Sequence, residues 1–186
     1  METWVWIAIA IVAVIVIGAI VWAAMNKRRT EELREQFGPE YDRTLQQTED
    51  RRAAESELAE RRSRREELDI RPLDPAARQR YATQWNGVQS RFVDQPSVAL
   101  NEADELVILV MRERGYPIDD FEQRAADVSV DHPQVVENYR AANAVSERVE
   151  LNEANTEDMR QALVHYRALF ADLLSEGDTA DIREVR

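Results

Sequence analysis

Imidazole is the side chain whose unperturbed pKa lies nearest neutrality, and this 186-residue chain has two, His132 and His165. A metal centre would join them to Asp or Glu, yet no HExxH, ExxH pair or acidic calcium loop is present and the spacing does not bring them together. The five glycines form no phosphate-cradling loop, and no G-x-S-x-G elbow or nucleophile with an adjacent base occurs. Cysteine is absent, which excludes thiolate catalysis, disulfides and Cys-based metal sites. The reading therefore predicts no catalytic residue, no metal and no cofactor. His132, in VDHPQ beside Asp131, reads as a helix-start residue, and His165, in ALVHYRALF, as a rim residue next to the core-facing Tyr166. The DHPQVVENYR stretch joins two helices with polar side chains, so Asp131, His132 and Glu137 form the predicted partner surface.

Charge divides the chain into unlike parts. The net charge of -12 is absent from residues 4–25, which carry no charged side chain. Residues 27–71 hold twelve basic against thirteen acidic groups, and residues 72–186 hold twelve against twenty-two. The acidic C-terminal part argues against nucleic acid as a partner. Of 24 basic residues all but one are arginine, which reads as codon usage of a GC-rich bacterial genome.

The segment WVWIAIAIVAVIVIGAIVWAAM would span about 33 Å as a helix, close to the ~30 Å of a hydrocarbon core. Trp4 and Trp6 stand at one end and Trp22 at the other, as interfacial indoles do. A cleaved signal peptide would begin with a basic region, carry an apolar run of about 7–15 residues and avoid a basic cluster after it. This sequence begins Met-Glu-Thr and continues into Lys27-Arg28-Arg29. An uncleaved single-pass anchor over residues 1–26 is expected, a signal-anchor in the bilayer. The positive flank Lys27, Arg28 and Arg29 places everything after it on the cytoplasmic side of the cell membrane. Gly18, Ala19 and Ala23 offer a faint small-residue face for pairing of spans.

Residues 27–71 read as a charged helical stalk. Between Glu40 and Asp69, seventeen of thirty residues are charged, with opposite charges at helical spacing in Arg51/Glu55, Glu57/Arg61, Glu60/Arg64 and Arg62/Glu66. Leu45, Leu58 and Leu68 keep no heptad seam, so a solvated helix is favoured over a coiled coil. Gly38-Pro39 predicts a break. Such a stalk would hold the acidic head tens of ångströms from an anionic leaflet, beyond a Debye length of about 8 Å.

From residue 72 the apolar period becomes regular. Asp74-Pro75 reads as N-cap and first turn, with Tyr81, Trp85, Val88 and Phe92 on one face. Ala99, Ala103, Leu106 and Val110 repeat the spacing, and Gly115 closes that helix. Asp119 and Asp120 start a shorter element, Pro133 opens a fourth, and Asn155 or Thr156 caps a fifth bearing Met159, Leu163, Tyr166, Phe170 and Leu173. The fold class is thus all-α: an N-terminal transmembrane helix, a charged helical stalk, a four- to five-helix bundle at 72–174 and a disordered tail at 175–186.

The strings LREQFGPEYDRT, MRERGYP, FEQRAADVSVDHPQVVENYR and LVHYRALFADLL resemble an uncharacterised family of bacterial proteins with one N-terminal span and a C-terminal helical domain. The resemblance implies no activity, ligand or site residue. The expected function is a membrane-anchored adaptor whose acidic head recruits an unknown cytoplasmic protein. The alternatives are a homo-oligomer that self-associates through span or stalk and, more remotely, an enzyme or metal-binding bundle.

Overall fold

The computed structural model describes residues 2–48 and 50–184, with side chains described at 4, 6, 11, 13–48 and 50–175. Among these residues the chain is all-α, with eight helices and no strand: α1 (Glu2–Phe37), α2 (Pro39–Gln47), α3 (Arg51–Glu67), α4 (Pro75–Phe92), α5 (Pro96–Arg114), α6 (Phe121–Asp131), α7 (Val136–Glu150) and α8 (Thr156–Glu184).

Helices α4 to α8 form the expected bundle. Their 3.6-residue apolar stripes close on one core in which Leu100, Val107, Val110, Met111, Tyr139, Tyr166 and Leu169 are fully buried. The boundaries have local causes. Asp74 accepts from the Ala77 amide at 2.7 Å, with Pro75 in the first turn of α4. Asp120 accepts from the Gln123 amide at 2.9 Å, and Asn155 Oδ1 from those of Glu157 and Asp158 at 2.8 and 3.0 Å. Gly115 ends α5 at φ 100°, and a Cβ there would fall 2.4 Å from the Asp69 carbonyl oxygen. Both the left-handed backbone and the close approach require glycine. Pro133 does not open α7; a turn on the His132 carbonyl comes first, and the helix begins at Val136.

The largest departure from expectation lies in residues 27–71, which do not form a solvated stalk. The C-terminal part of α1, with α2 and α3, makes a compact three-helix unit docked on the bundle. Leu33, Phe37, Tyr41 and Leu58 are buried together with Val130 of α6, and Leu45 packs against them. The apolar residues come from three helices, so none shows a seam alone. At Gly38, φ 47°, the backbone leaves the helical region, and Pro39 restarts the helix as α2.

Helix α1 is unbroken from Glu2 to Phe37, about 54 Å at 1.5 Å per residue. Among the described residues no helix is long and apolar enough to cross a membrane. The expected anchor lies partly on residues 1–3, 5, 7–10 and 12, outside the described side chains. Within the run, Trp4, Trp6, Ile17, Ile20 and Trp22 are exposed. At the other end, α8 continues to Glu184 where a disordered tail was expected from residue 175; side chains beyond Ser175 lie outside the described residues.

Candidate functional site

Of the polar residues singled out in the sequence, Asp131 and Glu137 pair across the seam between the N-terminal unit and the bundle, whereas His132 and His165 pair within the bundle. The seam is organised around Glu40, at the start of α2 and 2 % exposed. Arg140 of α7 donates to both its carboxylate oxygens at 2.9 and 3.0 Å, and Arg61 of α3 donates to Oε1 at 2.8 Å. Arg61 also pairs with Glu57 one turn earlier. Arg43 lies 3.6 Å from Glu40 and 3.4 Å from Glu137. Glu40, Glu57 and Glu137 therefore balance Arg43, Arg61 and Arg140. Burial pulls the Arg140 guanidinium below its ordinary pKa, opposed by the Glu40 charge.

Two further links cross the seam from α3. Arg64 lies 3.6 Å from the fully buried Asp127 of α6, and Arg65 donates to Asp131 at the end of α6. Asp131 also accepts from the Tyr116 hydroxyl at 2.6 Å. Inside the N-terminal unit, Oε1 of Glu55 accepts from Thr30, Arg51 and Tyr41 at 2.9, 2.9 and 3.0 Å. Burial pushes that carboxyl up, but the three hydrogen bonds outweigh it and hold it below the usual range.

His132 is buried at 2 % exposure. Its Nδ1 is 2.7 Å from Asp172 of α8 and its Nε2 3.3 Å from an Arg114 guanidinium nitrogen. Arginine has only protons to offer, so Nε2 accepts from Arg114 and the Nδ1 proton goes to Asp172. The ring thus bridges the end of α6 to α8, and neither nitrogen is left for proton transfer. The same Arg114 donates to the Leu173 carbonyl at 3.1 Å. His165 Nδ1 donates to Asn138 Oδ1 at 3.0 Å. Of the predicted partner surface, Asp131 accepts from Arg65 and Tyr116, His132 lies between Asp172 and Arg114, and Glu137 stays exposed with Arg43 at 3.4 Å. Among the described residues no group of three or more His, Asp or Glu is placed to hold a metal.

Sequence reasoning missed Glu40, Arg61, Arg114, Arg140 and Asp172 as members of this network. Glu40 and Arg140 are separated by 100 positions, and neither sits in a motif.

A second polar cluster lies within the bundle. Burial raises the Asp104 carboxyl of α5, partly offset by the Tyr166 hydroxyl and then Arg124. Tyr139, beside that carboxyl and hydrogen-bonded by Arg124 at 3.1 Å, is pushed up to about 12 mainly by burial. Tyr166 is raised for the same reason and shares a 3.0 Å hydrogen bond with Ser146. With both phenols held neutral, the cluster is a set of interior hydrogen bonds.

The surface offers one more feature. An open cleft of about 530 Å³ runs between α4 and α8. Its floor is Trp85 stacked on Phe170, with ring centroids 4.6 Å apart, and the buried Trp85 indole N–H has no hydrogen-bond partner among the described residues. No family model, curated protein or solved structure matches the chain.

Proposed function

We propose that the chain is a membrane-tethered interaction module without catalytic activity, its bundle displayed on the cytoplasmic side to a protein partner. The observation that carries this reading is the division of α1. Its first part exposes Trp4, Trp6, Ile17, Ile20 and Trp22, whereas its last turns bury Leu33 and Phe37 completely. A helix apolar on all sides calls for an apolar surrounding, and Lys27, Arg28 and Arg29 follow it at once, the flank favoured on the cytoplasmic face.

Docking of the N-terminal unit changes the expected geometry. Leu33 lies eight residues beyond Met25, about 12 Å along the helix, so the head begins at the interface and is not held tens of ångströms away. The N-terminal unit, nearly neutral with twelve basic and thirteen acidic groups, starts closer to the lipid along α1 than the acidic bundle does.

Because the chain has no native cysteine, a Ser175→Cys variant gives a single reporter of side. Labelling by an impermeant maleimide only after cells are permeabilised, with the protein retained in carbonate-washed membranes, is the expected result. Labelling of intact cells would reverse the orientation, and recovery in the wash would remove the tether. In-cell crosslinking of the full chain then tests the partner: a cytoplasmic protein is expected, and recovery of the chain alone would favour self-assembly.

A further inference from the structure

The contacts of the N-terminal unit fix where it stands along α1. Thr30 of α1 donates to Glu55 of α3 at 2.9 Å. Further along, Leu33 and Phe37 share a buried cluster with Leu58, and Arg61 reaches Glu40, three residues past the end of α1. Later residues of α3 thus meet later residues of α1, so the two helices run in the same direction. Helix α2 runs back between them, returning the chain to the end of the unit nearest the apolar segment. Arg51 donates to Glu55, one turn further on, at 2.9 Å. Asn26 likewise lies one turn before Thr30, whose hydroxyl donates to its carbonyl at 3.1 Å. Arg51 and Arg52 therefore stand level with Asn26 and Lys27, within about a turn of the end of the apolar segment.

We propose that this end of the unit binds the headgroups of anionic phospholipids, through Arg28 and Arg29 of α1 together with Arg52 of α3. The inference rests on the membrane-tether reading and adds the surface on which the tethered unit stands. Lys27, Arg28, Arg29, Arg51 and Arg52 are all exposed. Lys27 pairs with Glu31 at 3.7 Å and Arg51 with Glu55, whereas Arg28, Arg29 and Arg52 make no ion pair among the described residues. Of the carboxylates nearby, Glu55 is buried among its three donors. Asp50 accepts from the Arg52 amide at 3.2 Å as the cap of α3, and Glu49 lies outside the described residues. Continuity with the apolar segment and the sign of the charge name the occupant, since headgroups are the first surface beyond the hydrocarbon. A guanidinium fork matches the oxygens of a phosphate, and each basic residue beside an anionic leaflet strengthens binding about fivefold. The sequence shows only the collar on α1. The fold adds a second foot about 8–10 Å to the side, the usual separation of packed helices.

With no native cysteine in the chain, Ala53→Cys at an exposed position of α3 carries a single fluorophore. The full chain is placed in nanodiscs of mixed phosphatidylcholine and phosphatidylglycerol. A minor share of one lipid or the other bears a nitroxide at the top of an acyl chain, which quenches only at contact range. Spin-labelled phosphatidylglycerol is expected to quench about fivefold more than spin-labelled phosphatidylcholine at the same mole fraction. The difference should disappear at about 1 M salt, where the Debye length is about 3 Å. Arg52→Gln, an exposed substitution, should remove most of it with helix content unchanged. Equal quenching by the two lipids would overturn the proposal. A difference that survives Arg52→Gln would return the contact to the α1 collar alone and overturn the second foot. The same fluorophore at Asn26→Cys separates this inference from the tether. Quenching there but not at Ala53→Cys removes the surface and leaves the tether standing, whereas quenching at neither position removes both.

Discussion

The bundle core and the seam both bury helix faces, but they fill them with different matter. Twenty-four buried apolar residues from Leu73 to Leu173 make the first. The second has five, of which only Val130 belongs to the bundle, and the balance of its contact is ionic: Arg140 and Arg61 on Glu40, Arg64 toward Asp127, Arg65 on Asp131. Apolar burial is non-directional and roughly proportional to area. Buried ion pairs gain little net over an apolar replacement, yet removing one partner strands the other charge. The bundle therefore has a core that degrades gradually, whereas the seam depends on a few groups being present together.

The sharpest test of that contrast is Glu40→Ala. It leaves the guanidiniums of Arg61 and Arg140 buried around an empty position and should cost about 3–5 kcal/mol. The expected signature is early exposure of α2 and α3 to protease while the far-ultraviolet signal of the bundle persists. Loss of the whole fold in one step would show that seam and bundle are one cooperative unit. Leu100→Ala, a deletion at a fully buried site of the apolar core, should cost about 2–5 kcal/mol. Its denaturant midpoint should fall for the bundle signal itself; a loss confined to α2 and α3 would reverse the assignment of the two cores. Replacing the cap at Asp74 by alanine should cost about 1 kcal/mol and lower the bundle midpoint slightly, leaving seam protection unchanged.

Acid separates the regions by direction. Glu55 has a folded pKa below its unfolded one, so its contribution is present above the unfolded value and is lost as pH falls through the folded value. Asp104 is shifted upward, so its neutral form is favoured in the folded state and acidification relieves the bundle. As pH drops below about 4.3, the ordinary glutamate value, amide exchange should accelerate first in α2 and α3. Faster exchange in α5 than in α3 under those conditions would contradict the assignment.

The bundle was legible because its helices carry apolar stripes and four of the five have a boundary signal of their own, Asp74, Gly115, Asp120 and Asn155; α7 has none and its start was misplaced at Pro133. The N-terminal unit was not, because its core is assembled from Leu33 and Phe37 on α1, Tyr41 on α2 and Leu58 on α3. No single window shows that set, and a helix with one or two buried leucines reads as solvated. Spacing at i,i+4 identified Arg51/Glu55 and Glu57/Arg61, which form. It gave Glu60 to Arg64, whose described ion pair is instead with Asp127 across the seam. Local periodicity cannot rank a neighbour one turn away against a carboxylate brought in by the fold. The same blindness hid the partners of Asp131 and His132, which come from Arg65, Tyr116, Arg114 and Asp172, all distant in sequence or outside any motif.

The uninterrupted α1 has a geometric corollary. Each residue of an α-helix turns the chain by about 100° and advances it 1.5 Å, and the stretch between Met25 and Thr30 contains no break that would absorb a change. Leu33 and Phe37 fix the azimuth of everything docked behind them. The compass bearing at which the bundle faces its surroundings, relative to Trp4, Trp6 and Trp22, is therefore written as a residue count. A deletion of one residue there swings the head by more than a quarter turn.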